Sequence, residues 1–117
     1  MDMCATVHIE IPARDRLATA KFYAEIFGWK FQDYPGPVLF QTGNTVGGYP
    51  ELSEFYRPGD VLICVDSNDL EADLKQIEAR GGTVIARDME MPGGGHLAFF
   101  SDPAGNRIAL WKADPHQ

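Results

Sequence analysis

His8 and Glu10 are the residues of this chain best arranged to do chemistry together. They sit two apart in Thr6-Val7-His8-Ile9-Glu10-Ile11, a run that alternates as a strand does. Both side chains therefore leave one face, roughly 6–7 Å apart at the backbone. An imidazole beside a carboxylate has three uses. It can be a hydrogen-bonded pair in a polar groove, a base with its orienting partner for proton abstraction, or two ligands of a divalent metal. Proton abstraction needs a cation to hold an anionic or carbonyl group, and Arg107 supplies one. A metal needs a third group, and His96 is the candidate, in a two-His, one-carboxylate cluster. Trp111 and Tyr49 add two large rings, able either to pack or to stack on a substrate.

The elements that must hold these residues follow from pattern. Val7, Ile9 and Ile11 form the aliphatic face of the first strand, and Pro12 closes it. Asp15 caps a helix running to about Phe27, with Leu17, Ala20, Ala24 and Phe27 inward and Phe22 and Tyr23 broadening that side. Gly28 ends it in the left-handed position. Strands follow over Trp29–Tyr34, Val38–Thr42 and Thr45–Tyr49, broken by Pro35-Gly36-Pro37 and Gly43-Asn44. Residues 50–59 read as a surface linker.

The same order then recurs. Asp60–Val65 is a strand with Val61, Ile63 and Val65 on one face and Leu62 and Cys64 on the other. Asn68 and Glu71 fit a capping box for a helix with Leu70, Leu74 and Ile77 inward, ended by Gly81-Gly82. Thr83–Arg87 is a strand and Met89–Gly95 a loop. Residues 96–111 form a hairpin about Asp102-Pro103-Ala104-Gly105, a type I turn sequence. On its second strand Ile108 and Leu110 share one face, and Arg107, Ala109 and Trp111 the other.

Val7-His8-Ile9-Glu10-Ile11 answers Val61-Leu62-Ile63-Cys64-Val65 at a spacing of 54 residues, an internal duplication in element order. The expected fold is α+β: one domain over 1–117 made of two βαβββ modules, about residues 5–52 and 59–113. In each, the aliphatic face of the first strand should lie under the helix and the mixed face line the other side. Two such curved sheets side by side would make a cup.

Composition narrows the partners. A formal net charge of −7 argues against nucleic acid and anionic membranes, which need clustered Lys and Arg. Two cysteines, Cys4 and Cys64, no secretory leader and no membrane-length apolar run read as a reduced, cytoplasmic protein. Cys64 has no activating cation near it in sequence and reads as inert. Gly93-Gly94-Gly95 lacks the spacing of a phosphate-binding loop and reads as a mobile loop over the cup.

With Val7-His8-Ile9-Glu10-Ile11-Pro12-Ala13-Arg14-Asp15, Lys21-Phe22-Tyr23, Phe27-Gly28-Trp29 and Asp102-Pro103-Ala104-Gly105-Asn106, the chain resembles the vicinal oxygen chelate superfamily. That is the glyoxalase I, bleomycin-resistance protein and extradiol dioxygenase group, and the resemblance covers nearly the whole chain. It implies two βαβββ modules cupping a site, often with a divalent metal, and frequent pairing into homodimers. It also implies metal ligands from the first and last strands of each module. His8 matches the first of these, but the equivalent position in the second half is Leu62. Where relatives read Asn-x-Ile-Glu-Leu, this chain has Asn106-Arg107-Ile108-Ala109-Leu110, so Ala109 replaces the carboxylate. In the first half only Glu51 could contribute. The usual cage is thus incomplete.

The expectation is a glyoxalase-like protein that binds a small oxygenated or aromatic molecule in the cup, with no cofactor assigned. His8 and Glu10 are its catalytic candidates, and Arg107, Trp111, His96 and Tyr49 its binding candidates. The alternative is a metal-dependent glyoxalase, lyase or dioxygenase-type enzyme with His8 as first ligand and Glu10 and His96 as further ones.

Overall fold

Among the described residues ten elements form in the order βαβββ taken twice. The first module holds β1 (Val7–Glu10), α1 (Arg16–Phe27), β2 (Lys30–Asp33), β3 (Val38–Gln41) and β4 (Val46–Tyr49). The second holds β5 (Leu62–Asp66), α2 (Leu70–Ala79), β6 (Thr83–Glu90), β7 (His96–Ser101) and β8 (Arg107–Lys112). The structure, a computed structural model, describes residues 7–33, 38–91 and 94–114. Cys4, Tyr34, the Pro35-Gly36-Pro37 break and Gly93 lie outside the described residues. The chain divides into two compact units, residues 8–62 on the one hand and, on the other, residues from Ile63 onward together with Val7. Residues 50–59 stay with the first unit, where Ala13 N–H donates to the Pro50 carbonyl at 3.0 Å and Ala13 bridges Glu51 in parallel.

Within the first unit the strand order is β2-β3-β4-β1. β3 runs antiparallel to both β2 and β4, and β1 pairs β4 in parallel. The second unit repeats this as β6-β7-β8-β5, antiparallel except for the parallel β5–β8 pair. Parallel neighbours need a crossover that antiparallel hairpins do not. The helix in each module belongs to that crossover.

Local chemistry sets the helix ends. The Asp15 carboxylate accepts from Ala18 N–H at 3.0 Å, and Gly28, at φ 73°, closes α1 by donating its N–H to the Ala24 carbonyl. At α2 the expected cap shifts by one residue. Asp69, not Asn68, is the N-cap, accepting from Ala72 N–H at 3.1 Å. The Ser67 hydroxyl accepts the Asp69 N–H and donates to Asp73 Oδ2 at 2.5 Å, holding the chain in a turn before the helix starts.

Under α1, Ala20, Val38, Phe40 and Tyr49 are buried, with Ile9, Ile11, Tyr23, Trp29 and Phe31 packed against them. The rings stack in succession: Tyr23 on Trp29 at 4.9 Å between centroids, Trp29 on Phe40 at 5.1 Å and Phe40 against Tyr49 at 5.1 Å. Gly47 makes room for this. A Cβ there would lie 2.1 Å from the Ile9 carbonyl oxygen and 2.4 Å from Phe40 Cζ.

Three expectations are corrected by packing. Phe22 and Phe27, read as part of the inward side of α1, are 54% and 62% exposed, as is Ile26 at 56%. At about 100° per residue, Phe22 lies some 200° around the helix from buried Ala20, and Phe27 occupies the last helical position. On β5, Val65 packs against the cluster of Leu70, Leu74, Ala98 and Leu110, but Ile63 and the preceding Val61 are exposed while Leu62 and Cys64 are buried. α2 lies over β6, β7 and β8 rather than β5, so most of the aliphatic face of β5 has no helix above it. Finally, Met89 and Glu90 are the last residues of β6, which pairs with β7 through two register shifts, not part of a loop.

Candidate functional site

β1 positions the pair. Its pleat sends Ile9 into the core under α1 and turns His8 and Glu10 to the opposite face. There His8 Nε2 and Glu10 Oε1 stand 3.2 Å apart, with side chains 26% and 13% exposed. When the carboxylate is ionised it accepts and Nε2–H donates.

The sheet register aligns neighbours with this pair. Lys30 lies opposite Gln41 and Gln41 opposite Val46. The β1–β4 register, Ile9 with Gly47, places His8 beside Val46. A parallel row reads Gln32, Leu39, Gly48, Glu10. A Cβ added to Gly48 would meet both Glu10 Oε2 and Leu39 Cδ2 at 3.5 Å, which puts all three on one face. Over this face opens a pocket of about 450 Å³, with His8, Lys30, Gln32, Leu39, Gln41 and Val46 in its lining. That volume lies within the range of small-molecule sites.

Lys30, Gln32, Gln41, Leu39 and Val46 were not among the expected site residues. The signal was present in Lys30-Phe31-Gln32 and Leu39-Phe40-Gln41, where an aromatic alternates with residues bound for the other face. Reading those strands as two faces would have found them.

Other expected site residues are placed differently. Tyr49 is 1% exposed and belongs to the core under α1, on the side of the sheet away from His8 and Glu10. Burial, with Tyr23 close by, pushes its phenol up to about 12. In the hairpin, the Asp102–Gly105 turn sets a register that seats Leu97, not His96, beside Trp111. His96 shares its face with Ala98, which packs on Leu70 and Leu74 of α2, and its Nδ1 lies 2.7 Å from Asp88 Oδ1. It therefore projects away from the face that carries Arg107, Ala109 and Trp111.

Arg107, paired in register with Ser101, has a buried Nε. Trp111 is covered by the backbone of Gly95, where a Cβ would come 2.0 Å from the indole. It also borders a smaller pocket, about 260 Å³, with Ser67 and Asn68 before α2.

The ligand set implied for metal-using relatives does not form from the matching positions. Leu62 is 4% exposed and has no ligating atom. Ala109 is fully buried between Cys64 on one side and Phe99 on the other. Around Ala109 this face of module 2 is apolar, with Leu62, Cys64, Leu97, Phe99 and Ala109 all buried. Glu51 lies past the end of β4, in the isolated bridge to Ala13. Among the described residues no helix is long and apolar enough to cross a membrane.

Residues 5–110 match the Glyoxalase/Bleomycin resistance protein/Dioxygenase superfamily. CFP32 of Mycobacterium bovis, provisionally named a glyoxylase, is 26% identical over 120 residues, covering 92% of this chain and 45% of that protein. The anthracycline biosynthesis protein DauV of Streptomyces sp. is 27% identical over 135 residues, covering 92% of this chain and 46% of that protein. The chain thus spans about half the length of these curated relatives. A superfamily member from Vibrio splendidus, of known structure, has a TM-score of 0.64 at 13% identity, covering 92% of this chain and 98% of that one. That likeness concerns the fold alone.

Proposed function

The chain belongs to the Glyoxalase/Bleomycin resistance protein/Dioxygenase superfamily, and we propose that it binds a small oxygenated or aromatic molecule without the usual metal cage. Members of this family typically bind small molecules. The observation that carries the reading is the His8–Glu10 pair on the open face of module 1, with His8 in the wall of the 450 Å³ pocket. Leu39 and Val46 offer the ligand apolar surface, and the imidazole and carboxylate offer it hydrogen bonds. Leu62 and Ala109, at positions where metal-using relatives carry ligands, support binding without that cage.

The same pair supports a chemical step. His8 would take a proton from a carbon next to a carbonyl, and Glu10 would stabilise the imidazolium that results. A metal-dependent lyase or dioxygenase-type activity is the second reading, favoured by two ligand-type atoms standing 3.2 Å apart. Pairing of two chains belongs to the proposal as well, supported by the exposed Phe22, Ile26 and Phe27 of α1.

The test joins a ligand screen by thermal shift to elemental analysis of protein purified without chelator or metal resin. Hits lost in His8→Ala and Glu10→Ala, from protein without stoichiometric metal, are the expected result. Stoichiometric Ni, Zn, Mn or Fe that disappears in His8→Ala would overturn the cage-free reading. Hits indifferent to both substitutions would remove the site from this face. Light scattering on the eluted protein reads the oligomeric state.

A further inference from the structure

Resting on that reading of the pocket, we infer that its ligand is a monoanion whose carboxylate is held at the β2–β3 end by Lys30 with Gln32 and Gln41. Lys30 is the only Lys or Arg in the four strands of module 1. It stands on the pocket face of a chain whose net charge is −7. Among the described residues its ammonium has no acidic partner, and the side-chain amides of Gln32 and Gln41 have no hydrogen bond. All three line the pocket.

Gln41 is the direct cross-strand neighbour of Lys30, and Gln32 follows Lys30 by two on the same face. An ammonium and two amides offer donors on one side of an anion, the chemistry by which a carboxylate is held. One cation balances one negative charge. A dianion would leave an unpaired charge on this face.

The far end of the row differs. His8 and Glu10 sit on β1, three strand spacings from β2, roughly 14 Å at about 4.8 Å each. Between them lie Val46 and Leu39, which are 48% and 40% exposed. A carboxylate at the Glu10 end would meet like charge, so the anion is directed to Lys30. The ligand is thus oriented: carboxylate at Lys30, apolar or aromatic body over Leu39 and Val46, and its carbonyl or hydroxyl towards His8.

The experiment titrates 15N-labelled protein with 4-hydroxycinnamate, its methyl ester and phenyl phosphate, following the Gln32 and Gln41 side-chain amide signals. The free acid is expected to shift both amides and to bind about tenfold more weakly to Lys30→Met, the loss of one charge-assisted bond. Lys30→Arg should retain binding. The ester should bind weakly and equally to wild type and Lys30→Met. Lys30→Met keeps the apolar stem at an exposed site, and an otherwise unchanged spectrum verifies its fold. Equal affinity of the acid for both proteins, or of acid and ester for wild type, overturns the carboxylate assignment while leaving the pocket standing. Tighter binding of phenyl phosphate replaces the carboxylate with a phosphate. Absence of shifts at every pocket residue with all three probes overturns both the assignment and the pocket.

Discussion

Replacing Gly47 with alanine tests the close approach of strands on which the first module depends. The new Cβ would stand 2.1 Å from the Ile9 carbonyl oxygen and 2.4 Å from Phe40 Cζ. Phe40 can turn only by leaving Trp29 and Tyr49, each 5.1 Å away between centroids. The Ile9 oxygen is backbone, so β1 and β4 have to part by roughly 1 Å before the contact becomes an ordinary one. Overpacking a well-filled core costs about 1–3 kcal/mol, and a clash with paired backbone belongs at the upper end. At about 4 °C per kcal/mol for a chain of this size, the expected fall in Tm is about 10 °C. Gly48→Ala is the control. Its Cβ faces the pocket side and meets nothing nearer than 3.5 Å, so its Tm should stay within about 2 °C of wild type. Circular dichroism melts and urea titrations of both variants give the answer. If Gly47→Ala unfolds with Gly48→Ala and wild type, the division of the sheet into a packed and an open face is wrong.

Further predictions concern caps and titration. Asp69→Ala should destabilise by about 1 kcal/mol in urea unfolding, as loss of an N-cap does, with Asn68→Ala within about 0.5 kcal/mol of wild type. The reverse order would restore the capping box expected from sequence. Tyr49 is held neutral to about 12 against its ordinary 10. The folded form therefore binds this proton more tightly than the unfolded form. The stability it lends is complete below pH 10 and is lost as pH rises from 10 towards 12. Absorbance titration should show one tyrosine ionising last, and Tyr49→Phe should remove that step. The Tyr49 hydroxyl is buried with no hydrogen-bond partner among the described residues. Its deletion should therefore leave Tm unchanged or raise it, and a fall of several degrees would mean that the hydroxyl is bonded after all.

Much of the fold was legible because its signals are local. Asp15 and Gly28 mark helix ends by chemistry that needs only neighbouring residues. The Asp102 carboxylate closes its turn by accepting from the N–H groups of Ala104 and Asn106 at 2.9 Å. Hydrogen bonds from Asn106 also hold that carboxyl below its usual range. The site was legible only in part. His8 and Glu10 share one strand, so their spacing alone made them neighbours. His96 and Trp111 are on different strands, and only the hairpin register decides that they take opposite faces.

By itself, then, the sequence determined what depends on spacing along the chain. That includes two βαβββ modules, the caps of α1, the Asp102–Gly105 turn, the His8–Glu10 pair, and the absence of ligating atoms at Leu62 and Ala109. Tertiary structure decided everything that depends on which strands lie side by side. It put Tyr49 in an aromatic core instead of a binding face, and left Phe22 and Phe27 exposed. It also drew Lys30, Gln32 and Gln41 into one pocket with His8. The physical reason is that a strand's alternation says which residues share a face. Neither its neighbours nor what covers that face is set until the registers form.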